Sequence, residues 1–122
     1  FPKLTVICAE YGIGWVPFWL DRINSMQGRG SSRRGGFSTP LSLTPVEYFN
    51  RQMYVTYIEE EVGIRYRNDI GIDHVLWSSD YPHSASTWPE SSKFIERDFA
   101  GAEADKLTIC RDNVAALYGF KI

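Results

Sequence analysis

Long hydrophobic runs are missing from this sequence of 122 residues. No stretch approaches the ~18 apolar residues needed to cross a bilayer, and no signal-peptide pattern opens the chain. Cysteine is scarce: Cys8 and Cys110 are the only two, far apart and each in apolar surroundings. That placement argues for reduced, buried thiols rather than a disulfide framework, and so for a cytoplasmic protein. A large charge of one sign is missing too. The formal net charge of -2 provides no electrostatic footprint for nucleic acid or for an anionic membrane. No unit repeats at a fixed period. The chain opens Phe1-Pro2-Lys3, without an initiating methionine, and runs almost at once into an apolar stretch. This predicts a piece of something longer.

What is present is an ordinary globular balance, 43% hydrophobic and 23% charged, enriched to 15% in aromatic residues. One domain over residues 1–122 with a real core is expected. Three runs of β-branched, apolar and aromatic residues read as strands: Leu4–Ala9, Met53–Tyr57 and His74–Ser78. Helical signals separate them. Trp15–Met26 has apolar residues at helical spacing, with Pro17 in its first turn. Thr44-Pro45-Val46-Glu47 is a capping box that opens a short helix to about Arg51. Glu59, Glu60 and Glu61 suit the entry of a helix that runs to Ile70 and stops at Gly71, weakened by Gly63 inside it. Thr87-Trp88-Pro89-Glu90 reads as a second capping box for a helix over Pro89–Phe99. Helical segments at Glu103–Cys110 and Asn113–Tyr118 follow, with Gly119 as a left-handed stop. Strands alternating with helices imply an α/β fold of three parallel βα units joined by right-handed crossovers.

Chemistry-bearing residues gather at strand ends. Asp80 arrives where the third strand stops, after the small Ser78 and Ser79. Pro82 cannot extend a sheet ladder, and His83 follows at once. Glu10 stands at the end of the first strand, ahead of the glycine-punctuated turn Tyr11-Gly12-Ile13-Gly14. Ligands of α/β proteins bind beyond the carboxyl ends of parallel strands, so Asp80, Glu10 and His83 are the candidate catalytic residues. The competing reading makes Asp80 a turn cap and His83 a surface residue. His74 reads as a polar residue at a strand start. The arginines of Gln27–Ser38, with Arg22 just upstream, predict a mobile loop able to greet an anionic substrate. An RNA ligand is disfavoured by the acidic balance and by the lack of interleaved aromatics.

Four stretches together resemble the amidohydrolase-related family of metal-dependent (β/α)8 barrels, a group that includes aminocarboxymuconate-semialdehyde decarboxylase and resorcylate decarboxylases. They are FPKLTVICAEYGIGWVPFWLDRI at Phe1–Ile23, SLTPVEYFNRQMYVTY at Ser42–Tyr57, HVLWSSDYPHSASTWP at His74–Pro89 and DNVAALYGF at Asp112–Phe120. The resemblance implies the last three strands of such a barrel, with the earlier strands and their metal ligands outside this chain. It implies a divalent metal, zinc or manganese, in the complete barrel, and makes Asp80 the residue that reaches that metal or the attacking water. Glu10 occupies a position where a histidine often stands, which puts a carboxylate there to bind metal or polarise substrate. The function implied is hydrolysis or non-oxidative decarboxylation of a small carboxylate-bearing molecule. The alternative is a non-catalytic piece that only self-associates. Two bare sheet edges predict a homo-oligomer in either case.

Overall fold

The structure, a computed structural model, describes residues 1–27 and 41–122. Most of the arginine-bearing loop lies outside the described residues. Three short strands form one sheet in the order β1 (Val6–Cys8), β2 (Met53–Tyr57), β3 (Val75–Trp77). Both pairings are parallel, with Val6 opposite Met53 and Val55 opposite Val75. This is the expected α/β arrangement, with β1 and β3 trimmed at both ends. His74 falls in a 3-10 turn, Ile72–His74, ahead of β3. Its ring Nδ1 lies 2.9 Å from the Met53 carbonyl oxygen, and the ring packs against Phe49 and Tyr54.

Helices cover one face of the sheet: α1 (Val16–Gln27), α2 (Pro45–Gln52), α3 (Glu61–Arg65), α4 (Arg67–Ile70), α5 (Ser91–Asp98), α6 (Glu103–Leu107) and α7 (Asn113–Tyr118). A single π-helical turn, Thr108–Asp112, links α6 to α7. Strand side chains alternate between faces. Val55, Tyr57 and Val75 therefore point together into the helical layer, where they bury against Ile13, Val16, Phe49, Ile64, Phe99 and Ile109. Each such side chain stabilises the fold by about 1.5–3 kcal/mol. Thr56 and Leu76, one residue out of phase, occupy the opposite face and are also buried.

Local rules explain most helix ends. Thr44 Oγ1 accepts from the Glu47 amide at 3.2 Å, and Glu47 Oε2 accepts from the Thr44 amide at 2.7 Å. The reciprocal box starts α2 as predicted. Gly119 ends α7 at φ 72°. The single helix expected up to Ile70 is instead two, α3 and α4, broken at Tyr66. The second capping box does not form. Its intended donor, the Glu90 amide, bonds the Thr87 carbonyl at 2.8 Å, while the Thr87 hydroxyl pairs with that of Ser91 at 2.9 Å. The resulting turn delays α5 to Ser91. At the other end, Asn113 donates to the Ile72 and Val75 carbonyls at 2.8 and 2.7 Å, pinning α7 to the start of β3.

Cys8 and Cys110 are free and half-buried. Burial pushes the Cys110 thiol up to about 11, so it stays protonated and unreactive at neutral pH. None of the described helices is long and apolar enough to cross a membrane.

Candidate active site

Parallel pairing sends β1, β2 and β3 out of the sheet in the same direction, so the residues after each strand meet at one rim. Glu10 and Asp80 both stand there, after β1 and β3. Asp80 Oδ2 sits 2.9 Å from His83 Nδ1, with the Asp80 side chain 7% exposed and that of His83 68% exposed. A backbone bond from the His83 amide to the Asp80 carbonyl, 2.8 Å long, closes the turn that brings the two side chains together. The Glu10 carboxyl is raised above its ordinary value, first by a side-chain hydrogen bond with Asp80, then by that group's negative charge and by partial desolvation. His83 pulls in the opposite direction. The sequence candidates Glu10, Asp80 and His83 are therefore brought into one cluster.

Backbone geometry singles out the same two acids. Glu10 has φ 68° and Asp80 φ 57°, and they are the only non-glycine residues at positive φ among the described residues. That region is sterically unfavourable for L-residues and is held only where surrounding contacts enforce it. Thr56 supplies one such contact: its Oγ1 accepts from the Glu10 amide at 3.0 Å. A second tether reaches the same loop from farther along the chain. Glu60, after β2, accepts from the Ile13 amide at 2.6 Å and from the Gly14 amide at 2.8 Å. Its expected place in a helix entry is therefore only half the account. It precedes α3 as cap residue, but its side chain caps nothing there and crosses to the turn after Glu10. Reasoning from sequence missed both residues. Thr56 is the lone small polar residue of an apolar strand, and Gly12, Gly14 and Gly63 are signs of a close approach.

Carboxylate oxygens suit a hard divalent cation, and a cation between Glu10 and Asp80 would turn their mutual repulsion into shared attraction. The pair thus fits as part of a metal's ligand set. Among the described residues, however, no three His, Cys, Asp or Glu side chains are grouped to hold a metal by themselves.

The family model for amidohydrolases matches residues 1–120. The chain belongs to the amidohydrolase family. No curated protein matches it. Among solved structures, 5-carboxyvanillate decarboxylase from Sphingomonas paucimobilis is 27% identical with a TM-score of 0.74, and the match covers 99% of this chain and 35% of that one. For 2,6-dihydroxybenzoate decarboxylase from Rhizobium the identity is 25% and the TM-score 0.72, over 97% of this chain and 35% of that one. A dihydroxybenzoic acid decarboxylase from Polaromonas sp. JS666, solved with bound manganese and the inhibitor 2-nitroresorcinol, shares the fold at 23% identity and a TM-score of 0.70; the match covers 98% of this chain and 35% of that one. The chain thus spans about a third of the length of these amidohydrolase structures, and its three parallel βα units are a partial (β/α)8 barrel.

Proposed function

We propose that this chain carries the Glu10–Asp80–His83 part of the active site of a metal-dependent amidohydrolase-family decarboxylase or hydrolase. Its substrate would be a small carboxylate-bearing molecule. The observation that carries the proposal is the convergence of two acids, both at positive φ, at the ends of β1 and β3, with an imidazole bonded to one of them. Decarboxylation is the favoured chemistry, because two of the solved structures this chain resembles, at 27% and 25% identity, are decarboxylases.

Asp80 and Glu10 are the residues that would hold the metal, together with ligands from outside this chain. When bound, the metal supplies Lewis-acid polarisation of the substrate or a water of lowered pKa. The remaining work falls to side chains. Asp80 accepts the bond at His83 Nδ1, which fixes the tautomer and leaves Nε2 to carry a proton. Proton transfer from His83 would quench the carbanion left as carbon dioxide departs. In hydrolysis the same imidazole would take the proton of the attacking water.

The test is carbon dioxide release from small aromatic carboxylates by the active enzyme and by its Asp80→Asn variant. The variant keeps the shape of Asp80 but loses its charge, and should lower the rate by roughly 10²–10⁴-fold with folding retained. Full activity in the variant would remove Asp80 from the mechanism.

A second reading, self-association of this chain, is favoured by one observation. β1 and β3 are the outer strands of the sheet, and Leu4 and Val6 at the β1 edge are 55% and 41% exposed. Unpaired strand edges of this kind invite pairing with another copy. Sedimentation at tens of micromolar should show dimers or larger species, and a sharp monomer would end this reading.

A further inference from the structure

The turn after β1 is built around a side chain that is not its own. Glu60 reaches back from the end of β2, and its two carboxylate oxygens accept separately from the Ile13 and Gly14 amides, at 2.6 and 2.8 Å. Three glycines make room for it. A Cβ on Gly12 would stand 2.9 Å from Glu60 Oε2, and one on Gly14 would stand 2.5 Å from Oε1. A Cβ on Gly63 would stand 2.8 Å from Oε2 and would also collide with the Ile13 side chain. Contacts this short do not occur for real Cβ atoms, so all three positions must lack a side chain while the carboxylate occupies this place. Ile13, between the two glycines, is fully buried in the core. The turn is thereby held at three points: Ile13 in the core, Glu60 at two amides, and the indole of Trp15, whose Nε1 donates to the Gly12 carbonyl at 2.9 Å.

This turn begins immediately after Glu10, the residue at φ 68° at the end of β1, on the rim that also carries Asp80. A strained residue keeps its conformation only if the chain on both sides is held. Before the turn, Thr56 holds the Glu10 amide. After it, the only side chain that binds amides of the turn is Glu60, among the described residues. Both restraints come from β2 and the loop that follows it. We propose that Glu60 is a positioning residue of the active site, which fixes the Gly12–Gly14 turn and so directs Glu10 toward Asp80. This rests on the reading of Glu10 as a site residue. Charge gives the restraint its strength, since hydrogen bonds to a carboxylate stabilise more than neutral ones.

The experiment follows the isotopically labelled chain by nuclear magnetic resonance and needs no substrate. In Glu60→Ala, the Ile13 and Gly14 amides should lose about ten- to a hundredfold of their protection against hydrogen exchange. The Glu10 amide and the Trp15 indole resonance should shift with them, while the Val55 and Val75 amides of the sheet stay protected. In Glu60→Gln one oxygen acceptor remains and an amide group replaces the other. One of the two turn amides should then regain protection, and the Glu10 resonance should return part of the way. Release of Ile13 and Gly14 with Glu10 and Trp15 unmoved would overturn the proposal, since Glu60 would then clip the turn without reaching the site. If Glu60→Ala loses protection throughout the sheet, the isosteric Glu60→Gln decides: a shifted Glu10 amide supports positioning, and an unshifted one overturns it. Failure of the catalytic reading is seen elsewhere, as full turnover in Asp80→Asn, and leaves these resonances unaffected.

Discussion

The N-terminus of α2 and the rim where β1 and β3 end use glutamates in opposite ways. At α2, the Glu47 carboxylate accepts the Thr44 amide and hydroxyl, three residues away. Its pKa is held below the ordinary value by the backbone bond to Thr44 and then by the hydroxyl. These bonds all join neighbours along the chain. At the rim, Glu10 faces another acid, its pKa is raised, and its backbone occupies a region that L-residues avoid. The restraints on it come from Thr56 and Glu60, 46 residues or more away in sequence. One region is built by local stabilisation. The other is held against local preference by contacts from distant parts of the fold.

Substitutions can sharpen this contrast. The largest stability effect should come from Gly63→Ala. By helix propensity alone the change would stabilise α3 by about 1 kcal/mol. The added Cβ, however, meets Ile13 and Glu60, and overpacking of this kind costs about 1–3 kcal/mol. Chemical denaturation should therefore show a net loss, and a gain would mean that the Glu60 cradle yields easily. Thr44→Ala comes next. It removes a cap worth about 1 kcal/mol and should leave the rim undisturbed. A shift of the Glu10 or Asp80 resonances in that variant would break the separation between the two regions.

The smallest effect is on pH dependence, and its sign differs between the regions. Glu47 has a folded-state pKa below its unfolded value, so its contribution is present above about pH 4.5 and is lost as the pH falls through the folded pKa. Glu10 has a folded-state pKa above its unfolded value, so its contact with Asp80 loses stability as the pH rises through the folded pKa. On acidification from neutrality, melting temperature should first gain from protonation of Glu10 and later lose from protonation of Glu47. Glu10→Gln should flatten the first limb and Thr44→Ala the second. The same profile in both variants as in the parent would refute the assignment.

How much of this could be read beforehand follows the same division. The alternation of β-branched and amphipathic segments was enough for three parallel βα units, because strand and helix periodicities are local. The Thr44 capping box was legible for the same reason. Its apparent twin at Thr87 was not, because an equally local turn, closed through the Thr87 carbonyl, competes for the Glu90 amide. Asp80 and Glu10 were visible as acids placed where strands end. The three glutamates at 59–61 show where such reading stops. Helix entry accounts for Glu61, in the first turn of α3, and Gly63 signals a close approach, but neither identifies the two amides 46 and 47 residues upstream that Glu60 binds.

By itself, then, the sequence determined which segments become strands and helices, where α2 begins, and that acids stand at the ends of β1 and β3. Those outcomes depend on side-chain periodicity and on bonds within a few residues. Only the tertiary structure decided that Asp80 bonds His83 at the rim where Glu10 also stands, that both acids hold positive φ, and that Thr56 and Glu60 bind the Glu10, Ile13 and Gly14 amides. These features require parallel strands distant in sequence to lie side by side with their ends together, a relation set by sheet pairing and burial of the helical layer.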